Sequence, residues 1–320
     1  MTAEAPFPID VVIPWVDGGD PAFAARMARY AGADALADNE VAGPARYRSL
    51  GEIRWAVASL FRFAPFIRKV FIVTDGQDPD LGGMLREHFP ERADDVVVVD
   101  HGIIFRGREA YLPTFNSRAI DTLVWNIPDL SEHYLYSNDD VMLVKPVSVE
   151  DFFRDGKVVC YGHRYPAALV RLFRFLRPKH IGFKEAMLRT LELMGGGDHI
   201  LYLGHTVRPM LKSWYERWAE ERPDMVERNL RYKFRSVEQF QVQEAFCLDM
   251  ERQGRLDLVS DLRAAGVVKH DRRSDSYVGR KLLIFSLRKE RKFVCFNSLD
   301  AFSPKAHRRV AAWLDERIFK

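Results

Sequence analysis

Two adjacent carboxylates, Asp139 and Asp140, stand behind the amide of Asn138 between two apolar runs, in Leu135-Tyr136-Ser137-Asn138-Asp139-Asp140-Val141-Met142-Leu143. Charged side chains among apolar neighbours are costly unless something pairs with them. An acidic pair at the end of a buried strand is a donor set for a hard divalent cation, which in turn neutralises a diphosphate. The competing reading is a solvated turn in which Asn138 and Asp139 cap the next segment. Other polar residues follow strand-like runs in the same way: Asp17 and Asp20 after residues 9–15, Asp75 and Gln77 after residues 69–73, and His101 after the valines at 96–99. In such loops backbone N–H groups can approach phosphate, while carboxylates hold ribose or sugar hydroxyls. Turn formation and helix capping are the alternative duties of Asp17 and Asp20. His101 and His163 rank behind these as site residues.

These side chains need a frame that brings strand ends together. Residues 9–15, 69–73, 96–99 and 135–143 read as four strands, bounded by turn-forming clusters. Between them, residues 51–63 place Ile53, Trp55, Val57, Leu60 and Phe61 among charged positions, as in an amphipathic helix, and residues 117–125 form another before Pro128. This alternation predicts an α/β fold with a mostly parallel, doubly wound sheet. Residues 165–255 read instead as a helical insertion or subdomain: Arg-Leu-Phe-Arg-Phe-Leu-Arg at 171–177, a helix over 183–194, a hinge-like Gly195-Gly196-Gly197, and helical patterns over 209–252. A strand at 292–297 and a helix at 304–318 complete the chain, which is read as a single catalytic domain.

Composition narrows the function classes. The balance of 48 Lys and Arg against 45 Asp and Glu, net +3, excludes a bulk nucleic-acid binder. Three scattered cysteines provide neither a disulfide framework nor a zinc site, so a reducing cytoplasm is expected. No basic leader and no bilayer-length apolar run is legible. The interleaved arginines and aromatics near residue 171 leave open a peripheral seat on an anionic membrane or a hold on a charged polymer, against the plainer reading of a solvated amphipathic helix.

Several segments together resemble the Stealth phosphotransferases. The first family region resembles Ile9-Asp10-Val11-Val12-Ile13-Pro14-Trp15-Val16-Asp17-Gly18-Gly19-Asp20-Pro21. The second is similar to Arg46-Tyr47-Arg48, Leu50-Gly51-Glu52, Ala64-Pro65-Phe66-Ile67-Arg68, Val73-Thr74-Asp75-Gly76-Gln77, Leu112-Pro113-Thr114-Phe115-Asn116-Ser117, Ala119-Ile120-Asp121 and Ser137-Asn138-Asp139-Asp140. Weaker likenesses are Gly204-His205-Thr206-Val207-Arg208-Pro209 with Phe234-Arg235-Ser236, and Phe296-Asn297-Ser298-Leu299-Asp300.

The resemblance implies a Rossmann-like, glycosyltransferase-A-like enzyme that moves a sugar-1-phosphate from a nucleotide-sugar to a saccharide or polysaccharide hydroxyl, as in capsule and exopolysaccharide synthesis. It implies Mg2+ or Mn2+ on Asp139 and Asp140, Arg235 as a charge stabiliser and His205 as general base. Asp17 joins the catalytic set. Asp20, Arg46, Arg48, Asp75, Gln77, Asn116, Asp121 and Asn138 are implied for donor or acceptor binding. For Arg46 and Arg48 a surface salt bridge is the alternative, and for Asn116 a helix cap. Asp121 stands where the family has glutamate, a methylene shorter, and Ser49 replaces an acid. A glycosyltransferase releasing nucleoside diphosphate, or a carbohydrate-binding pseudoenzyme, are the rival readings.

Overall fold

The computed structural model describes residues 5–31, 47, 49–176, 183–269 and 274–320. In chain order its main elements are β1 (Ile9–Pro14), α1 (Pro21–Tyr30), α2 (Glu52–Phe63), β2 (Val70–Thr74), α3 (Gly82–His88), β3 (Val96–Asp100), α4 (His101–Ile104), α5 (Ser117–Leu123), β4 (His133–Tyr136) and β5 (Val141–Leu143). There follow β6 (Phe153–Arg154), β7 (Lys157–Pro166), α6 (Ala167–Leu176), α7 (Phe183–Leu193), β8 (His199–Leu203), β9 (Arg208–Leu211), α8 (Lys212–Glu221), α9 (Pro223–Leu230) and α10 (Val242–Arg252). The chain ends with β10 (Leu256–Val259), α11 (Asp261–Ala264), β11 (Ala265–Lys269), α12 (Asp275–Leu287), β12 (Phe293–Asn297) and α13 (Pro304–Ile318).

The central sheet runs β3-β2-β1-β4-β9, parallel except where β9 pairs antiparallel with β4. Strands β1 and β2 are near-continuous apolar runs buried along their length, the pattern that interior parallel strands require, whereas β3 at the edge leaves Val98 46% exposed. Asp10 is the exception inside β1. Fully buried, it accepts from Arg68 Nε at 2.9 Å and Nη2 at 2.6 Å and from the backbone N–H of Ser131 at 2.7 Å, so its charge ties the starts of three segments together. Two smaller sheets, β11-β12-β5 and β10-β7-β6 with β8 on β7, pack beside it, and one apolar core runs from Ile9 to Ile318. The α/β, Rossmann-like reading therefore stands.

Two sequence expectations need correction. Residues 135–143 are not one strand: β4 ends at Tyr136, a turn closes with Val141 N–H donating to Asn138 C=O at 3.2 Å, and β5 leaves to pair antiparallel with β12 in another sheet. Strand and turn readings were each half of the answer, since four polar residues interrupt an apolar run and the chain bends there. The stretch 165–255 is helix-rich, but β8 and β9 interrupt it, and β9 completes the central sheet beside β4.

A smaller aromatic cluster holds the loops over the sheet. Phe23 of α1 meets Phe115 edge-on at 5.5 Å, Phe115 stacks on Phe234 at 5.4 Å, and Tyr47 Oη donates to the Phe115 carbonyl at 2.8 Å. Gly18 allows this: a Cβ there would lie 2.4 Å from that of Tyr47.

Candidate active site

In a sheet ordered β3-β2-β1-β4 the chain proceeds to one side from β1 and to the other from β4. The crevice at their carboxyl ends is the topological switch point where open α/β sheets bind ligands. The loop after β4 puts Asp139 and Asp140 there. Asp140 is held by its surroundings: Phe296 N–H donates to its carbonyl at 3.1 Å, and Cys295 Sγ donates to Oδ2 at 3.2 Å. Its Oδ1 is buried with no hydrogen-bond partner among the described residues.

Asp139 carries the stronger signal. Burial, then the neighbouring carboxylates of Asp140 and Glu52, push its carboxyl up to about 8. Glu52, in the first turn of α2 and 6% exposed, accepts from Leu50 N–H at 2.6 Å, and burial raises it as well. Three carboxyl groups thus crowd one place, with an orphaned oxygen among them. Such a donor set fits a hard divalent cation, which is the counter-charge the cluster calls for. Among the described residues no three His, Cys, Asp or Glu side chains close on a single point, so a cation held by Asp139 and Asp140 would need further oxygens from outside the chain.

His205 follows β8 through Gly204, where a Cβ would stand 2.8 Å from that of Asp261. Burial lowers its pKa, Asp140 opposes that lowering, and Arg208 and Lys269 add to it. A neutral imidazole within electrostatic reach of Asp140 is poised to accept a proton.

A third group lies at the last residue of β4. Tyr136 Oη donates to Asp121 Oδ1 at 2.7 Å. Asp121, 8% exposed on α5, is pushed up to about 6 by burial, an effect that hydrogen bonds from Tyr136 and Gln243 and the nearby Arg235 partly offset. Arg235 Nη2 donates to Ser117 Oγ at 2.8 Å. Arg208 joins this group to His205: it donates to the Gly204 carbonyl at 3.4 Å and to Glu244 Oε1 at 3.4 Å, and Glu244 in turn faces Asp121. Asp140 and His205 on one side, and Asp121 and Arg235 on the other, are therefore linked through Tyr136 and Arg208 around the end of one strand.

The remaining expected residues fall elsewhere. The Asp17 N–H donates to Gln77 Oε1 and Gln77 Nε2 donates back to the Asp17 carbonyl, both at 2.9 Å, so the loops after β1 and β2 are clasped together. The Asp17 carboxylate accepts from Gly19 N–H at 2.7 Å, and the Asp20 carboxylate caps α1 through Phe23 N–H at 2.7 Å; these are the turn and cap duties. Asp75 pairs with Arg26 Nη2 at 2.7 Å on the wall of an open cleft of about 330 Å³ that also meets Arg29, Tyr30, Pro113 and His101. His101 is buried there with neither ring nitrogen hydrogen-bonded among the described residues. Asn138 is exposed. Arg46 and Arg48 lie outside the described residues.

Asn116 needs correction as a ligand contact. It is fully buried, Oδ1 accepts from Arg118 N–H at 3.2 Å, and Nδ2 faces the carbonyls of Tyr232 at 3.0 Å and Phe234 at 2.8 Å and Gln239 Oε1 at 2.9 Å. Both Nδ2 hydrogens are taken up by protein acceptors, and the side chain has no exposed surface to offer a substrate. Its effect is to staple the loop that bears Arg235.

Glu52, Tyr136, Arg208 and Glu244 were not singled out from the sequence. Glu52 and Arg208 lie inside the quoted motifs, where position alone could have flagged them. Tyr136 lies inside the quoted stretch 135–143, but its pairing with Asp121, like the part played by Glu244, shows only in the tertiary contacts.

Residues 7–35 match conserved region 1 of the Stealth proteins, and residues 46–160 match conserved region 2, which contains Asp75, Asn116, Asp121, Asp139 and Asp140. The chain is 37% identical over 238 residues to exopolysaccharide phosphotransferase CpsY of Mycobacterium leprae, covering 73% of this chain and 41% of that protein. To exopolysaccharide phosphotransferase SCO6023 of Streptomyces coelicolor it is 46% identical over 147 residues, or 46% of this chain and 23% of the relative. The chain thus spans less than half the length of these curated relatives. Solved structures with partial likeness include mouse xyloside xylosyltransferase 1 in its apo form, at 13% identity and a TM-score of 0.45 over 93% of this chain and 100% of that one. Galactosyltransferase LgtC in complex with donor and acceptor sugar analogs gives 13% identity and a TM-score of 0.44 over 96% of each chain. With both defining regions in place and in register with the clustered acids, this chain is a member of the Stealth family.

Proposed function

We propose that the chain is a single catalytic domain that transfers hexose-1-phosphate from a nucleotide-sugar to a saccharide hydroxyl in exopolysaccharide synthesis, forming a phosphodiester and releasing the nucleoside monophosphate. The observation that carries this reading is the carboxylate pair at the switch point, in which burial raises the pKa of Asp139 and Asp140 keeps an orphaned oxygen, with a neutral histidine within electrostatic reach. Asp139 and Asp140 would hold Mg2+ or Mn2+, which when bound supplies positive charge to the donor diphosphate.

The chain's own residues do the rest. His205, kept neutral by burial, takes the acceptor hydroxyl's proton on a ring nitrogen as the oxygen attacks phosphorus. Arg235, aimed by Ser117 and by the loop that Asn116 staples, offers its guanidinium to the phosphoryl oxygens as charge accumulates there. Asp121 keeps that guanidinium oriented. The cleft of Arg26, Tyr30, Asp75 and His101, reached through the loop that Asp17, Asp20 and Gln77 shape, takes the nucleoside end of the donor, with Asp75 toward ribose hydroxyls and Tyr30 toward the base.

Incubation with a panel of nucleotide-sugars, a saccharide acceptor and Mg2+ tests this by mass spectrometry of the nucleotide set free. Nucleoside monophosphate supports the proposal. Nucleoside diphosphate would mean attack at the anomeric carbon and glycosyl transfer. Tight donor binding without release of either would mean a binding protein.

A further inference from the structure

Helix α6 is seated against the protein on its narrow side. Ala167 and Val170 are buried and Arg174 reaches inward to Glu192, donating from Nη1 at 3.1 Å and Nη2 at 2.9 Å. Its apolar stripe points the other way. Leu169, Leu172, Phe173 and Leu176 recur at i, i+3, i+4 and i+7, which defines one helix face, yet they are 43%, 54%, 54% and 63% exposed, and Phe175 beside them is 82% exposed. Single exposed leucines are ordinary, but five contiguous large apolar residues on one helix are the mark of a covered surface. The next helix, α7, adds Phe183 at its start.

Charge identifies what covers it. Residues 167–194 contain Arg171, Arg174, Arg177, Lys179, Lys184 and Arg189 against Glu185 and Glu192, an excess of four positive charges in a chain whose whole balance is +3. The rest of the protein is therefore slightly acidic, and the excess falls in the sequence segment that carries the exposed stripe, with Arg171, Lys184 and Arg189 among its described residues. An apolar ridge of Leu and Phe flanked by Arg and Lys complements a surface that is oily beneath and anionic at its face. Ten residues of helix span about 15 Å, too little to cross a bilayer, and no helix among the described residues is long and apolar enough to do so.

From this geometry we infer that α6 docks the protein onto an anionic lipid surface, lying in the plane of the bilayer with Leu172, Phe173, Phe175 and Leu176 at the acyl boundary and the basic side chains at the phosphates. Phe183 at the edge of this surface stacks on His205 with ring centroids 6.5 Å apart, so the surface adjoins the candidate site, and the inference holds whether or not the transfer chemistry is as proposed.

Vesicle flotation tests it, with phosphatidylcholine alone and with phosphatidylcholine carrying about one-third phosphatidylglycerol. The wild type should float with the anionic vesicles and be released by high salt. Leu172→Gln with Phe175→Gln, and separately Phe173→Gln with Leu176→Gln, should weaken partitioning about tenfold or more while melting temperature is unchanged, because these side chains support no core. Light scattering on the same samples reports the oligomeric state. The inference is overturned if anionic vesicles do not retain the wild type, if both double variants float equally well, or if a dimer dissociates on substitution, which would make a second copy the occupant.

Discussion

Replacing Asp139 by Asn exchanges a carboxylate for an amide of the same shape at the point of greatest electrostatic crowding. In the folded protein its carboxyl is pushed up to about 8, by burial first and then by Asp140 and Glu52, whereas in an unfolded chain it titrates near 3.9. Between those values the folded state binds the extra proton. The carboxyl's contribution to stability is therefore complete below about pH 4 and drains away as pH rises to about 8. Each pH unit of that window corresponds to about 1.4 kcal/mol. Solvent on the open side of the carboxyl and the charge shared with Asp140 reduce the usable sum to about 1–3 kcal/mol.

Asp139→Asn has no proton to lose. At about pH 8 in EDTA its melting temperature should exceed that of the wild type by about 2–6 °C, with the two converging near pH 4. Divalent cation should reverse the order: a ligand at a hundredfold excess over its Kd stabilises the wild type by about 2.7 kcal/mol, and the amide variant gains little of this. Turnover should fall by about a hundredfold or more in the same variant. The assay is a fluorimetric melt across pH 4–9 with EDTA, Mg2+ or Mn2+. Parallel curves for the two proteins at every pH and metal setting would refute both the proton accounting and the cation seat.

Other substitutions separate chemistry from scaffolding. His205→Gln should lower kcat by about 10²–10⁴-fold with the fold intact; since burial lowers the histidine's pKa, the wild type's acid-side loss of activity should fall below about pH 6.5 in a rate profile. Asn116→Ala leaves buried hydrogen-bonding partners unsatisfied and should cost about 2–4 kcal/mol in urea unfolding, with kcat falling as Arg235 loosens; a raised KM at unchanged stability would instead make it a substrate contact. Tyr136→Phe removes a donor that holds the Asp121 carboxyl down, so the value of about 6 should move up by about one unit, as followed by carbon NMR of the labelled carboxyl; a stationary value removes Tyr136 from the network.

Local composition and period determined much of this protein. The valine and isoleucine runs at β1 and β2 and the stripes of α2 and α13 belong to short-range rules, because burial on both faces demands unbroken apolar strands and one-sided burial demands a helical stripe. The acids of the loop after β4 could be recognised for the same reason: charge in an apolar setting is conspicuous on the page. Their company was not. Glu52 lies 87 residues before Asp139, and Asp121 and Arg208 lie 87 residues apart; their meeting depends on β9 joining β4 and on β12 capturing β5. Hydrogen bonding also reassigned side chains that the sequence displays identically. Asn116 became a staple and Asp20 a cap because each found backbone partners within reach, while Asp140 kept an oxygen with none. Residue type announces which groups can bind a cation or move a proton, and only the packed chain decides which of them still have a valence to spare.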